Sequence, residues 1–594
     1  MNTRDSVWQR ASRTLPLFHR STRSSIARSA ATLLLACGVA CTACSNDKPK
    51  PAPVVDLQPV AAPANLAADI FVPTPDTTYQ AIRTKLGGPL ALLPATFPAV
   101  YVTMLGLPPQ LLEQIDGNLP AYGVMTDDGT RLASVMGVHV REGARVIELL
   151  TGGPDAKYSA RVDAGGVTVL EPKPNTTARA AALGVVGNYF VTGENVDDLV
   201  RCGPYVARTL PMRPAEKGSL VVVASRSALS GPAAKRVQES WAAFRKAREV
   251  EDQKLRAEHG GKAPDFADPT AALTDIDGKV SRVATLLRDL ETARIGIDID
   301  DAGVHARLTM QPAAGSGAAT QEFSAMVTGD TAPLLALPKS TVLALLMRDT
   351  IEVRKQSVAD QVKSIGGLFG DRIKPEESKK AEDALFAWAQ GRGDWMAAAL
   401  DVNPAGKVFL VDGALADSAQ FDASIRSFMA LPGIPAFKNP IETHVGKLTF
   451  GKPATLDGTV FVHVKRDPAS KDSKIEKSEF DVAWRAQDKA PSFNFVVSQD
   501  AKGWFKQRSL EPAQTLAARQ DVAVALKALG NDVAFAFFLE PARLLAGITM
   551  REQRGDVPAA PVLFTYGGGK AAGWLRLDLS NEAARELLKM ATRR

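Results

Sequence analysis

The sequence predicts an α+β fold: a tandem duplication of a mixed antiparallel-sheet domain built from strand-helix-hairpin-helix units, with inserted helical hairpins. Three observations predict it. Apolar runs recur on both sides of short turns, helical patterns separate these pairs of runs, and the same order of elements returns in the second half of the chain. With 594 residues, 45% of them hydrophobic and 23% charged, the chain has the length of more than one domain and the composition of a folded protein.

The first predicted unit begins with a strand at Pro98–Leu105, whose residues are largely β-branched or aromatic, and continues with a helix at 108–115. A hairpin then turns at Asp127–Thr130, where Asp-Gly stands between apolar runs and Gly accepts a positive φ. A helix at 143–150 closes the unit. Similar turns are predicted at 300–303, 403–406 and 567–570. We expect the folded body to start near residues 86–94.

These units group into two predicted domains, 86–330 and 331–594. Each carries an extra pair of amphipathic helices, at about 232–292 and about 350–390, because apolar residues recur there at helical spacing. The layout resembles that of exported bacterial repeat proteins, a resemblance that implies no particular chemistry. The charged faces of these helical hairpins are interpreted as solvated surfaces, with binding of an envelope protein partner as the alternative.

Residues 1–43 are interpreted as a signal peptide. Six arginines lie between Arg4 and Arg28, and the following segment, 29–44, has no charge. At about 16 residues, this apolar stretch is shorter than the ~20 residues of a membrane-spanning helix. A cleaved export signal is therefore favoured over a permanent transmembrane helix.

Three cysteines end this segment: Cys37, Cys41 and Cys44. Here the chain resembles the bacterial lipoproteins, in which a small residue precedes the cysteine that is lipidated and becomes N-terminal. Cys44 is favoured because a polar, Pro-rich stretch follows it, whereas Cys41 and Cys37 remain alternatives. The resemblance covers only residues 20–50 and implies anchoring to a membrane by acyl chains.

The resemblance also predicts an address in the cell envelope. Ser45, after the favoured cysteine, is similar to the pattern of lipoproteins sorted to the outer membrane. Residues 44–85 are predicted to be the lipidated cysteine and a tether, since seven prolines between residues 45 and 75 favour extended backbone. We thus expect an exported protein that faces the periplasm or the cell surface.

Charge gives no reason to expect a nucleic-acid partner. The formal net charge of the whole chain is +6, but residues 1–43 hold six arginines and one acid, Asp5. The remainder is close to neutral, so it lacks the basic excess that phosphate backbones select.

The sequence predicts no catalytic residue, no cofactor and no metal site. The histidines form no metal-ligand spacing, and no Gly-Lys pair is followed by Ser or Thr as in a phosphate-binding loop. Three histidines in predicted strands are interpreted as exposed or hydrogen-bonded side chains: His139, His305 and His463. The acids at the hairpins are interpreted as turn residues: Asp127, Asp128, Asp298, Asp300 and Asp301. Cys202 is interpreted as a buried structural thiol.

Taken together, these features predict a membrane-anchored lipoprotein of the cell envelope that acts as a non-enzymatic binding or scaffold protein. Two alternatives stay open. One is an enzyme with a site between the two halves, and the other is a carrier of a lipid or another apolar ligand held between sheet and helices.

Labelling with a clickable fatty acid tests the anchor. We expect the wild-type protein to incorporate the label and Cys44→Ala to abolish it, because the acylated sulfur is removed. Cys37→Ala and Cys41→Ala serve as matched controls that keep the label. An unlabelled wild type, or label retained in all three variants, contradicts a lipid anchor at this segment.

Overall fold

The computed structural model describes the chain from residue 58 to residue 592, apart from short gaps. The described ranges are 58–129, 131–154, 156–174, 182–258, 269–315, 317–369, 373–403, 406–468, 477–489, 491–506, 511–548, 560–569 and 571–592. The predicted signal peptide and the candidate lipidation sites Cys37, Cys41 and Cys44 lie outside these residues. The chain forms two compact units: unit 1 runs to Ala228 and includes Arg294–Asp301, and unit 2 comprises Leu229–Ala293 and the chain from Ala302 onward.

The described strands belong to one antiparallel sheet of 21 strands. In chain order they are β1 (Leu66–Val72), β2 (Ala121–Asp127), β3 (Leu132–His139), β4 (Tyr158–Val162), β5 (Thr168–Pro172), β6 (Ala182–Val186), β7 (Tyr189–Gly193), β8 (Leu220–Ser225), β9 (Leu290–Ile299), β10 (Gly303–Pro312), β11 (Thr341–Arg348), β12 (Arg392–Asn403), β13 (Gly406–Leu415), β14 (Lys447–Phe450), β15 (Ala454–Leu456), β16 (Thr459–Asp467), β17 (Ser478–Gln487), β18 (Ser492–Ser498), β19 (Val533–Leu539), β20 (Val562–Gly568) and β21 (Gly573–Ser580).

The predicted fold class, α+β as a tandem duplication of a mixed antiparallel-sheet domain built from strand-helix-hairpin-helix units with inserted helical hairpins, is therefore wrong: the strands form one large antiparallel sheet. The physical reason is visible at β10, which falls in the first predicted domain but pairs with β21 of the second. A hairpin leaves its outer backbone groups unpaired, and here further strands satisfy them.

In unit 1 the pairings run in the order β8, β1, β2, β3, β7, β6, β5, β4. In unit 2 they run in the order β10, β21, β20, β19, β11, β12, β13, β18, β17, β16, and both β14 and β15 pair with β16. Every one of these pairings is antiparallel, so neighbouring strands present side chains in register on two faces.

Fifteen α-helices of six or more residues accompany the strands in the described ranges. They are α1 (Pro75–Ala81), α2 (Phe97–Leu105), α3 (Gly143–Thr151), α4 (Val196–Pro204), α5 (Ala234–Glu258), α6 (Pro269–Arg288), α7 (Ala318–Ser324), α8 (Ile351–Phe369), α9 (Pro375–Gly391), α10 (Ser418–Ala430), α11 (Pro435–His444), α12 (Ala501–Lys506), α13 (Gln520–Lys527), α14 (Pro541–Ile548) and α15 (Asn581–Thr592). None of the helices in the described ranges combines the length and apolarity that a membrane span requires.

Two expectations about the start of the fold are wrong. The predicted strand at Pro98–Leu105 is helix α2, because Thr96 caps its N-terminus and Gly106, at φ 65°, ends it in the left-handed region. The expected start near residues 86–94 is too late, since β1 already begins at Leu66 and pairs with both β2 and β8. Part of the segment interpreted as a tether thus contributes a strand to unit 1.

Each of the four predicted turns falls where two consecutive strands are connected: β2 and β3, β9 and β10, β12 and β13, and β20 and β21; residues 130, 404–405 and 570 of these turns lie outside the described ranges. The predicted helical hairpins are also present, as α5 with α6 and α8 with α9. In the first of these, the indole Nε1 of Trp241 donates a hydrogen bond to Asp277 at 2.5 Å. The apolar stripe expected on α6 is not fully covered, since Ile276 and Val283 remain exposed.

Aromatic side chains fill the part of the core that lies under α9 and α10 in unit 2. Phe421 is 0% exposed, and its ring centroid lies 4.4 Å from that of Phe493 and 5.8 Å from that of Trp388. Trp484 is also fully buried there and donates a hydrogen bond to Asp422 at 2.8 Å. Dense packing of this kind makes the loss of one ring costly.

We expect Phe421→Ala to lower the free energy of unfolding by about 3–5 kcal/mol, because it opens a cavity among rings that cannot close over it. Phe409→Ala is the matched control: this phenylalanine is 41% exposed, so we expect less than half of that loss. Urea unfolding of both variants measures the difference. Equal losses would contradict the burial described for Phe421.

Candidate functional site

The sheet in unit 2 has two chemically different faces. Side chains alternate between the faces along each strand, and the registers of β10, β21, β20, β19 and β11 show which residues share a face. One face packs into the core: Ala344, Leu346, Ala536, Phe538 and Leu563 are each less than 5% exposed and belong to a single buried cluster. The side chains between them point to the opposite face.

This opposite face is apolar at every position of the five strands apart from one tyrosine hydroxyl. We call it the apolar face, and its members are Val304, Ala306, Leu308 and Met310 of β10; Leu575, Leu577 and Leu579 of β21; Val562, Phe564 and Tyr566 of β20; Phe535, Phe537 and Leu539 of β19; and Leu343, Leu345 and Met347 of β11.

On β11, β19 and β20 the apolar face is less buried than the face behind it, whereas on β10 the face behind it is partly open, with Arg307 exposed. All of its members are half-buried or, in the case of Tyr566, exposed. Behind β21 the other side of the sheet carries charged groups, the paired Arg576 and Asp578, whose side chains are 19% and 7% exposed. With strands ~4.8 Å apart and outward residues ~6.8 Å apart along each strand, the apolar face measures roughly 19 Å by 14 Å. Accessible apolar patches of this extent mark sites that bind something else.

Aromatic rings cluster toward one end of the apolar face. Phe535 stacks on its cross-strand partner Tyr566 at a centroid distance of 5.2 Å, and meets Phe564 edge-on at 6.1 Å. Helix α7 covers the sheet near this end, because the ring of Phe323 lies directly over Gly573, where a larger residue would clash with it. The accessible part of the face therefore begins next to Tyr566.

Polar groups mark this end of the face. Burial raises the pKa of the Tyr566 hydroxyl, and the nearby carboxylates of Glu322 and Asp349 raise that pKa further. Asp349 is two residues beyond Met347, and its backbone N–H continues the strand pairing by donating to the carbonyl of Asp394 at 3.0 Å. Asp349 therefore continues the alternation that places Met347 on the apolar face.

Asp349 holds two buried arginines, and we call these three residues the arginine cluster. Arg354 Nη1 donates to Asp349 Oδ1 at 3.0 Å, and Arg392 Nη2 donates to Asp349 Oδ2 at 2.5 Å. Arg354 also donates to the backbone carbonyls of Ala389 and Gly393, at 2.9 and 2.6 Å. The cluster thus ties the start of α8 to the junction of α9 and β12.

Within the arginine cluster, Arg392 is not fully satisfied. Its side chain is 6% exposed, and its Nε and Nη1 are shielded from solvent without a hydrogen-bond partner. Burial lowers the pKa of Arg392, although Asp349 opposes that shift. Two guanidinium groups share one carboxylate, so the cluster carries a positive charge in excess. An anion placed beside Arg392 would compensate it.

A second buried set of charges in unit 2 is better balanced. Glu540, 1% exposed, lies 2.6 Å from Arg519 Nη2 and 3.0 Å from Arg543 Nη1. Arg519 additionally pairs with Asp521 at 2.7 Å. Two cations thus face two carboxylates, which is the composition of a structural network.

Two of the acids predicted to act in turns, Asp127 and Asp128, accept hydrogen bonds from backbone N–H groups of the same turn. Asp127 Oδ1 accepts a hydrogen bond from Gly129 N at 2.8 Å, and Asp128 Oδ1 accepts one from Arg131 N at the same distance. Local bonds of this kind stabilise tight turns. Asp298 instead lies within β9 and accepts a hydrogen bond at 3.2 Å from Ser219 N, 79 positions away in sequence.

The three histidines lie in strands, as predicted. His305 Nδ1 is 2.5 Å from Asp578 Oδ1, and His463 Nδ1 is 3.1 Å from Asp481 Oδ1, each a direct cross-strand pair. His139 packs edge-on against Tyr189. Cys202 is buried, as predicted, and burial raises the pKa of its thiol. Among the described residues, no group of three or more His, Cys, Asp or Glu side chains could hold a metal ion.

Comparison with protein families, curated proteins and solved structures found no match to this chain. The site is therefore described from its own residues alone.

The apolar face and the arginine cluster are not foreseen by the sequence analysis. In β19 every residue from Val533 to Leu539 is apolar, so alternation along the strand does not indicate an accessible face. Arg354 and Arg392 are 38 positions apart and meet only because the α8–α9 hairpin returns the chain to β12. One sequence signal does indicate a second apolar face. The Leu- and Phe-rich strands are apolar at successive positions, whereas a sheet with one solvated face needs apolar residues only at every second position.

We expect Asp349→Asn to lower the free energy of unfolding by about 3–5 kcal/mol, because it leaves two buried guanidinium groups without their counter-charge. Asp383→Asn is the matched control, since that carboxylate pairs with Lys379 on the exposed side of α9 and its loss should cost less than about 1 kcal/mol. Urea unfolding distinguishes the two. A loss of stability no larger than that of the control would show that the cluster is hydrated rather than buried.

Proposed function

We propose that this protein is a non-enzymatic binding protein of the cell envelope and that unit 2 holds the acyl chains of a lipid on its apolar face. The observation that carries the proposal is the apolar face itself: its members on five neighbouring strands are half-buried or exposed although every one of them is apolar or aromatic. Solvation of so many Leu, Phe, Val and Met side chains is unfavourable by ~25 cal/mol per Å², and a bound apolar ligand removes this cost.

An acyl chain fits this face better than a folded protein does. The face has no polar side chain other than Tyr566 with which to specify the register of a protein partner, and protein interfaces carry about one hydrogen bond per 100–200 Å². It also ends at the arginine cluster, so that apolar and charged regions follow each other along one direction. A lipid has the same arrangement, with an apolar tail followed by a polar or charged head.

The location of the protein at a membrane of the cell envelope is part of the same proposal. A lipid anchor at Cys44, with Cys41 and Cys37 as alternatives, would keep the apolar face near a membrane that supplies acyl chains. A scaffold role, in which the exposed faces of the α5–α6 and α8–α9 hairpins bind an envelope protein, is the second candidate. It is favoured by the exposed apolar residues Val250, Ile276 and Val283.

Binding of diphenylhexatriene, a neutral apolar fluorophore, tests the proposed site in the purified full-length protein. We expect saturable binding, and at least a tenfold weaker affinity for Phe537→Ser combined with Phe564→Ser, because both rings lie in the middle of the face. Val524→Ser is the matched control: this residue is 64% exposed, lies on α13 and is not part of the face. Its affinity should equal that of the wild type.

Tyr566→Ser provides a variant at the most accessible position of the face, in case the double variant does not fold; we expect at least a threefold loss of affinity. Mass spectrometry of lipids extracted from the purified protein should detect acyl chains. Absence of saturable binding overturns the proposal. A concentration-dependent dimer that excludes the fluorophore would instead assign the face to a second copy of the chain.

A further inference from the structure

We infer that the ligand of unit 2 is an anionic amphiphile whose negative head lies beside Arg392 of the arginine cluster while its acyl chain lies on the apolar face. This inference rests on the proposed function and specifies the ligand class of the same site.

The first argument is charge. Arg354 and Arg392 are both about 6% exposed and share the single carboxylate of Asp349. The other acids near this end do not add a buried negative charge, since Glu322 pairs with Arg282 and Asp394 is exposed. The cluster is thus one negative charge short of neutrality in a place that water does not reach.

The second argument is hydrogen bonding. Arg354 uses Nε and Nη1 on two backbone carbonyls and on Asp349. Arg392 has one described partner, Asp349, while its Nε and Nη1 carry three N–H bonds without an acceptor. Unpaired buried N–H groups of a charged side chain are costly, and a carboxylate or phosphate oxygen is the acceptor that best satisfies a guanidinium.

The third argument is position. Asp349, which binds Arg392, follows Met347 at the spacing that keeps a residue on the apolar face, and its charge acts on the hydroxyl of Tyr566. Met347 is paired with Phe535, and Phe535 with Tyr566. An acyl chain lying along these three residues has its head at the arginine cluster.

Displacement of diphenylhexatriene from the full-length protein at pH 8 tests the inference with ligands that share one chain and differ in the head. Palmitate carries a carboxylate, palmitoyl lysophosphatidate a phosphate, and hexadecanol no charge. We expect at least one anionic ligand to bind at least tenfold more tightly than hexadecanol, and the preferred anion shows whether the head is a carboxylate or a phosphate.

Arg392→Gln should reduce this preference to less than threefold while the affinity for hexadecanol stays unchanged. Arg426→Gln is the matched control, since Arg426 is 46% exposed on α10 and pairs with Asp422. The comparison of ligands on the wild type needs no variant, so misfolding of Arg392→Gln does not prevent a decision. Equal affinity for all three ligands overturns the anionic head but leaves acyl-chain binding intact. Failure of every ligand and of the fluorophore overturns the proposed function itself.

Discussion

Burial of one face of the unit 2 sheet in the hydrophobic core is the constraint on which the rest of the site depends. Leu346, Phe538 and Leu563 point into a core that excludes water, and the alternation of the strands then commits every second residue to the other side. A shift of one residue in register would exchange the two faces and place charged Asp578 among the apolar side chains. Core packing therefore determines which side chains form the apolar face, although the members of that face do not belong to the buried cluster.

The arginine cluster illustrates how a buried charge can position secondary structure. Asp349 follows β11, Arg354 lies in the first turns of α8, and Arg392 opens β12. Their mutual bonds hold the two ends of a helical hairpin against the sheet, and the remaining positive charge is a by-product of using two arginines for one carboxylate. Replacement by apolar residues of similar size would remove the desolvation cost of these charges.

Local signals in the sequence predict turns and helical hairpins well, but they predict the pairing of distant strands poorly. The four hairpin turns are predictable because Asp, Asn and Gly at fixed positions determine a tight turn irrespective of the rest of the chain. The Phe97–Leu105 helix is missed because its Val and Tyr residues favour a strand, while the caps at Thr96 and Gly106 determine the outcome. The continuous sheet is missed because β10, in the first predicted domain, pairs with β21, which lies more than about 260 residues further along the chain. The site is missed for the same reason, since it consists of side chains that only pairing brings together.

The position of β1 bears on how the protein can be handled as fragments. This strand lies between β2 and β8, so it supplies hydrogen bonds along both of its edges. A fragment that begins at residue 86 lacks it and leaves the facing edges of β2 and β8 open, and open edges of apolar strands recruit other chains into aggregates. A fragment without open strand edges at this place must therefore retain Leu66 and the residues that follow it.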